Sequence, residues 1–323
     1  MEAVIQVFPR EDGTISIWDH PNFKSSMTLP DQYTTLTRLN QGLETLENKH
    51  ERGLMEKRLT VLKVVGDAVC ANENQLRRYL SKVMSFSETS DHLKYLRKYG
   101  FVERHTCRLA FTNDNDEHAV KPPAPHTLGL IGYIVMNHFY GGQFFKNPNG
   151  WQQNSLGIQR YTAMNEIRCL AVESRKLRGW TWHPYIGGKT KYKRPLAVAK
   201  IETPQGELQM FFERAQMSLD FIGYFRERLE TFRYLQSRDG FIRIDQHAET
   251  KMQMYVLSCS TVSMANFIQE QLHLHTYPFE VLLQVDEWME TPDGLGSSFA
   301  SVSKEGIKRL SVAFLNKAEV PVR

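Results

Sequence analysis

The chain of 323 residues carries a formal net charge of +4, with 41% hydrophobic and 24% charged residues. That length provides for two or three domains, the balance is that of a globular chain rather than a disordered or fibrous one, and so small a positive excess matters only where it is concentrated. Cys70, Cys107, Cys169 and Cys259 stand isolated, which speaks against a zinc ribbon or disulfide scaffold and for a reducing cytoplasm, and no stretch reads as a signal peptide or membrane span.

From the N-terminus, two β-rich runs, Ala3–Phe8 and Thr14–Trp18, flank Arg10-Glu11-Asp12-Gly13 and predict a hairpin. A polar loop follows from Asp19 to Pro30. From Asp31 to Val69 the pattern is helical. Leu36, Leu39, Leu43 and Leu46 repeat at three- and four-residue spacing, and Gly53 breaks the run before Leu54, Leu59, Leu62, Val65 and Val69. Residues 1–52 therefore read as an N-terminal hairpin and helix.

Residues 53–113 form the most informative stretch. A helix at Leu59–Val69 is followed by a cap at Ala71-Asn72-Glu73-Asn74 and a short helix, Asn74–Val83. Ser85 or Ser87 caps a third helix, Glu88–Tyr99, and Gly100 takes the helix C′ position. Phe101–Arg104 and Arg108–Phe111 alternate as two short strands joined at His105-Thr106-Cys107. Leu76, Tyr79, Leu80, Leu93 and Leu96 supply a small core. Three helices and a hairpin in this order predict a winged helix-turn-helix domain whose last helix enters the major groove of DNA. The candidate DNA-binding residues are Arg77, Arg78 and Lys82 before that helix; Ser87, Thr89, Ser90, His92, Lys94, Arg97 and Lys98 on it; and Arg104, His105 and Arg108 in the wing. The phrase from Leu93 to Val102, L-x-x-L-x-x-x-G-F-V, resembles the entry to the wing in bacterial winged-helix regulators.

Asn113–Glu117 and Lys121–Pro125 are polar and proline-rich, which predicts a linker over 114–125. Residues 126–323 then form one α/β domain. Helices are expected at Leu128–Tyr140 and Thr162–Arg178. Strands at Arg194–Ile201 and Leu208–Glu213 follow, then a helix at Leu219–Ser237, a strand at Met254–Leu257, a helix at Thr261–His273 and a strand at Phe279–Val285. This order requires at least one helix-linked parallel step.

Arg194-Pro195 before one strand, Phe211-Phe212-Glu213 closing the next, and the following helix with Tyr224 and Tyr234 are similar to the replication-relaxation family of bacterial plasmids and mobile elements. In that family a winged helix precedes a nuclease-like domain. The resemblance implies an α+β chain: an N-terminal winged helix-turn-helix domain followed by an α/β domain resembling a degenerate restriction-endonuclease-like fold. Such sites use carboxylates and a lysine to hold a divalent metal and activate water. Here Leu196 stands in the aspartate position and Ala215 in the lysine position, so neither enzymatic activity nor a cofactor is expected. The alternatives are a metal-dependent nuclease using Glu213 with Glu202 or Glu173, and a protein-interaction module.

Other motifs are weaker. Gly187-Gly188-Lys189-Thr190 lacks the first P-loop glycine, His183 standing in its place, and reads as a basic loop. There Lys189, Lys191, Lys193 and Arg194 are possible secondary phosphate contacts. His273 and His275 lack a third metal ligand, Ser260 and Ser263 lack a nucleophile-elbow context, and Trp151, Trp180 and Trp182 read as core. The sequence therefore predicts a cytoplasmic, homodimeric protein that binds specific double-stranded DNA without membrane association. Its expected role is that of a transcription regulator or a replication or transfer accessory factor of a plasmid, phage or other mobile element.

Overall fold

A computed structural model describes residues 6–47, 53–109, 121–151, 154–188, 191–217, 220–244, 250–291 and 294–316. The chain divides into two compact units: a helix-rich unit, Asn22–Cys169, and a large-sheet unit formed by Met1–Pro21 with Leu170–Arg323. This division differs from the expected one. Residues 1–52 do not stand together, and 114–125 does not separate the units. Residues 110–120 lie outside the described residues, but Pro125, placed in the expected linker, begins a strand within the helix-rich unit.

In the helix-rich unit, strand β1 (Phe23–Thr28) precedes helices α1 (Leu39–Glu47) and α2 (Leu54–Ala68). A two-residue strand β2 (Ala71–Asn72) leads into α3 (Glu73–Leu80), then α4 (Phe86–Lys98), strand β3 (Val102–Leu109), strand β4 (Pro125–Leu128) and α5 (Leu130–Tyr140). Helix α6 (Ser155–Glu173) closes the unit, whose boundary falls in its last turn. The strands form an antiparallel sheet in the order β1-β3-β4-β2. The core joins Val61, Leu62 and Val65 of α2 to Leu76, Leu80, Leu93 and Leu96, and to Ile131 and Val135 of α5.

Two expectations change here. The stretch Asp19–Pro30, read as a loop, contains β1. The segment expected as a two-stranded wing is one continuous strand, Val102–Leu109, rather than two short strands joined at His105. Its neighbours are β1, from some 80 residues upstream, and β4, which starts at the last residue of the expected linker.

The large-sheet unit has strands β5 (Leu177–Trp182), β6 (Ala197–Thr203), β7 (Gly206–Arg214), β8 (Gln253–Cys259), β9 (Val281–Val285), β10 (Phe299–Ser303) and β11 (Gly306–Leu310). Each is hydrogen-bonded to the next in one seven-stranded sheet. The parallel steps are β7–β8 and β8–β9; the remaining pairs are antiparallel. Helices α7 (Phe221–Asp239) and α8 (Val262–Leu272) make the two parallel crossovers, because a parallel step needs a connection long enough to return along the sheet. Phe225, Leu229 and Phe232 of α7, with Met264 and Ile268 of α8, pack on Val198, Phe211, Tyr255, Leu257 and Leu283 of the sheet. The alternate positions Ala197, Met210, Phe212, Val256 and Leu282 are buried too, so the central strands read as continuous apolar runs.

The expected N-terminal hairpin is not formed among the described residues. Its turn exists, with Arg10 N donating to Thr14 O at 2.7 Å and Gly13 at φ 82, but its flanks are not strands. Instead Phe8 lies 5.0 Å from the Phe267 ring, and the carbonyls of Phe8 and Pro9 accept from Thr261 and Ser263 at the start of α8. Ala3–Ile5 lie outside the described residues.

Candidate nucleic-acid interface

The α3–turn–α4 element is set by its caps. Asn72 Oδ1 accepts from Gln75 N, and Gln75 Oε1 accepts from Asn72 N, both at 3.0 Å, a reciprocal capping box. Ser85 Oγ accepts from Glu88 N at 3.2 Å and starts α4. At the far end Gly100 adopts φ 72, and Phe101 N donates to Leu96 O at 2.9 Å, which ends the helix and turns the chain into β3.

Several candidate residues are bonded into this framework. Arg77 donates to Glu73 at 2.6 Å and to Ser90 Oγ, and Ser90 donates to Glu73 at 2.6 Å, so the three tie α3 to α4. Arg78 pairs with Glu166 of α6. Thr89, His92 and His105 are buried, which corrects their assignment to a DNA surface. Thr89 bonds to the Ser85 carbonyl, and His92 lies 4.0 Å from Glu88, itself paired with Lys57 of α2. His105 Nε2 meets Thr127 Oγ1 at 2.9 Å. Burial pushes the His105 imidazole down to about 4. Burial, followed by the charges of Arg97 and Arg104, pushes His126 on β4 down to about 3.

The remaining candidates lie outward. Lys82, in the turn before α4, is exposed; Ser87 and Lys94 are exposed on α4, together with Asp91; Arg97 and Lys98 are half-exposed at its end. On β3, Arg104 is half-exposed and Arg108 is exposed, with exposed Thr106 between them. Directly opposed residues of an antiparallel pair share a face. The register sets Lys24 against Arg108, Ser26 against Thr106 and Thr28 against Arg104. Thr28 Oγ1 and Thr106 Oγ1 are 2.5 Å apart, in accord with that shared face. The result is a solvent face of three cations and three hydroxyls, without a carboxylate among those six positions. Burial, followed by the charge of Arg104 on that face, lowers the pKa of the Arg97 guanidinium. Lys24, Ser26 and Thr28 were not expected from sequence. Their signal was a period-2 alternation with Phe23, Ser25 and Met27, inside a segment otherwise rich in turn residues.

Behind the same strands lies a cavity of about 270 Å³, lined by Ser25, Met27, Glu103, His105, Leu130 and Trp151 among others. Burial pushes the Glu103 carboxyl up to about 7.

In the large-sheet unit, Glu213 is buried at the end of β7. Tyr224 donates to its Oε2 at 2.5 Å, and Arg228 Nε lies 3.3 Å from Oε1. Leu196 and Ala215, which the sequence resemblance set in the aspartate and lysine positions, are buried as well. Glu202 pairs with Glu207 in the β6–β7 ladder, six positions along β7 from Glu213. At ~3.3 Å per residue that is roughly 20 Å, too far for the two carboxylates to share a metal ion. The spacing thus speaks against the Glu213–Glu202 pair, one of the two pairs the nuclease alternative named. Among the described residues, no three His, Cys, Asp or Glu side chains gather as a metal-binding group.

Of the secondary basic residues, Lys193 pairs with Glu227, Arg194 stacks on Tyr185, and Lys191 lies over Tyr192. Lys189 lies outside the described residues. No helix among the described residues is long and apolar enough to cross a membrane. Compared with known families, characterised proteins and solved structures, the chain matches none of them.

Proposed function

We propose that the helix-rich unit is a winged helix-turn-helix domain that binds double-stranded DNA. Helix α4 is the recognition helix, and Lys24, Arg104 and Arg108 on the β1–β3 face hold the flanking phosphates. The observation that carries this reading is the opposition of Lys24 and Arg108 across the β1–β3 ladder. Directly opposed like charges cost stability in a sheet, and a polyanion relieves that cost. Ser87, Asp91 and Lys94 are the exposed α4 side chains for base edges, while Lys98 and Arg97 serve the backbone. Specific recognition of two half-sites implies a homodimer on DNA, since operator symmetry mirrors protein symmetry.

For the large-sheet unit we propose a restriction-endonuclease-like scaffold without its metal chemistry. Three consecutive antiparallel strands, a crossover helix and a parallel strand support the scaffold reading. The buried Leu196 and Ala215, with Glu213 bound to Tyr224 and Arg228, support the loss of chemistry. The whole then resembles the replication-relaxation family, and its role is regulation or accessory work in replication or transfer on a mobile element.

The test is a titration of the full chain into a fluorescent duplex at two salt concentrations, with and without Mg²⁺. Tight binding that weakens steeply with salt and leaves the duplex intact is expected. Each of Lys24→Ala, Lys94→Ala and Arg108→Ala should lower the salt slope by about 0.9. Absence of binding to several duplexes at low salt would replace this reading with that of a protein-interaction module.

A further inference from the structure

Among the described residues outside the helix-rich unit, the exposed aromatic side chains with cations against them, Tyr185 and Tyr234, lie on the loop and helix described next. Tyr185 is 37% exposed and Tyr234, on α7, 53% exposed, so each ring leaves part of its surface to solvent. The Arg194 guanidinium lies 3.4 Å from the Tyr185 ring centre, Lys191 5.1 Å from that of Tyr192, and Arg238 5.9 Å from that of Tyr234. The Tyr192 and Tyr234 rings are 6.4 Å apart, and Arg238 also reaches the Tyr192 hydroxyl at 3.4 Å.

The loop bearing Tyr185 is held against α7. Ile186 bridges to Ile244, and Gly187 N donates to Arg243 O at 2.8 Å. A Cβ on Gly187 would meet Leu235 of α7 at 2.8 Å and the Tyr192 ring at 3.1 Å, at a positive φ of 64. The carboxylates bonded within the group, Glu227 and Asp239, are already matched by Lys193 and Arg238.

We infer that this surface, centred on Tyr185, Tyr192, Arg194 and Tyr234, binds single-stranded nucleic acid. In a duplex the base faces are stacked on one another, so exposed rings gain nothing from it beyond phosphate contact. A single strand offers its base faces to tyrosine rings and guanidinium planes while its phosphates meet the lysines and arginines. The loop and helix hold the rings in place before any strand arrives. This inference does not depend on duplex binding by the helix-rich unit.

The test uses the full chain and a fluorescent oligothymidylate of about 16 nucleotides, with an unlabelled duplex as competitor. Tyr185→Ala and Tyr234→Ala remove exposed rings and should each weaken single-strand binding about tenfold, whereas Tyr234→Phe should retain it. Lys94→Ala with Arg108→Ala, on the helix-rich unit, should leave single-strand affinity within about twofold. Thermal melts verify that each variant is folded. Three results would overturn the inference: no single-strand binding at low salt, binding indifferent to both Tyr→Ala changes, or binding removed by Lys94→Ala with Arg108→Ala. The last would assign the strand to the helix-rich unit instead.

Discussion

Lys24 and Arg108 stand directly opposite each other in the β1–β3 ladder, both exposed to solvent. Like charges at such a pair repel at short range, and salt screens the repulsion. Arg108→Ser should therefore raise stability by roughly 0.2–0.5 kcal/mol at low salt, with the gain vanishing near 1 M salt. The same change should weaken duplex binding. Chemical denaturation at two salt concentrations, alongside the DNA titration, checks both. A loss of stability at low salt would show that Arg108 packs favourably in the sheet.

Acid should unfold the helix-rich unit for an identifiable reason. His105 and His126 are held neutral, at about 4 and about 3, against an ordinary value of 6.5. The unfolded chain gains their protons below 6.5, so the stability they contribute is complete above that pH and is lost as pH falls towards their folded values. Each proton is worth about 1.4 kcal/mol per pH unit. Glu103 acts oppositely. At about 7 in the fold against an ordinary 4.5, it holds a proton that the unfolded chain has lost, and it offsets one histidine between roughly pH 6.5 and 4.5. The loss should be gentle in that window and steeper below it. Glu103→Gln should make it steep from 6.5 downwards. Hydrogen exchange of β3 and β4 amides from pH 7 to 4 checks this.

Helix α5 crosses the start of β3 at backbone distance. A Cβ on Gly132 would lie 2.0 Å from the Phe101 carbonyl oxygen, and no side-chain rotation relieves a backbone clash. Gly132→Ala should cost at least about 2 kcal/mol, as overpacking does, and should lower duplex affinity by shifting β3. A urea midpoint within error of the unchanged protein would refute the close packing.

Glu213 should be structural. It is 1% exposed and held by Tyr224 and Arg228. Arg228→Ala leaves that carboxylate buried without its cation and should destabilise the large-sheet unit by about 3–5 kcal/mol. Glu213→Gln keeps an acceptor for Tyr224 and should cost less. If Glu213→Gln instead abolished a Mg²⁺-dependent cleavage present in the unchanged protein, the unit would be an active nuclease.

The helices were legible because their signals are local. Asn72, Ser85 and Gly100 act on groups within a turn of themselves, and the leucine spacing of α2 to α4 is complete inside each segment. In the large-sheet unit, α8 forms within the helix expected at Thr261–His273, those two residues being its caps, and the parallel steps followed from strand–helix–strand order. Strands β5, β10 and β11 escaped that reading. β5 continues directly from a helical pattern, and β10–β11 is a short hairpin around Gly306 with exposed charged positions on β11.

Which side chains reach a surface was decided by pairing across long stretches of chain. β3 presents Arg104 and Arg108 but hides His105, because each strand alternates its faces and the chosen face depends on what covers the other. β1 joins β3 from Phe23–Thr28, and Phe8 docks beside α8 from the far end of the sequence. The amino-acid order alone determined the caps, the helical cores and the order of strands and crossovers. Tertiary structure alone decided that Lys24 faces Arg108, that Thr89, His92 and His105 turn inward, and that Tyr185 meets Arg194 beside α7, since edge pairing and burial are properties of segments brought together and not of either segment by itself.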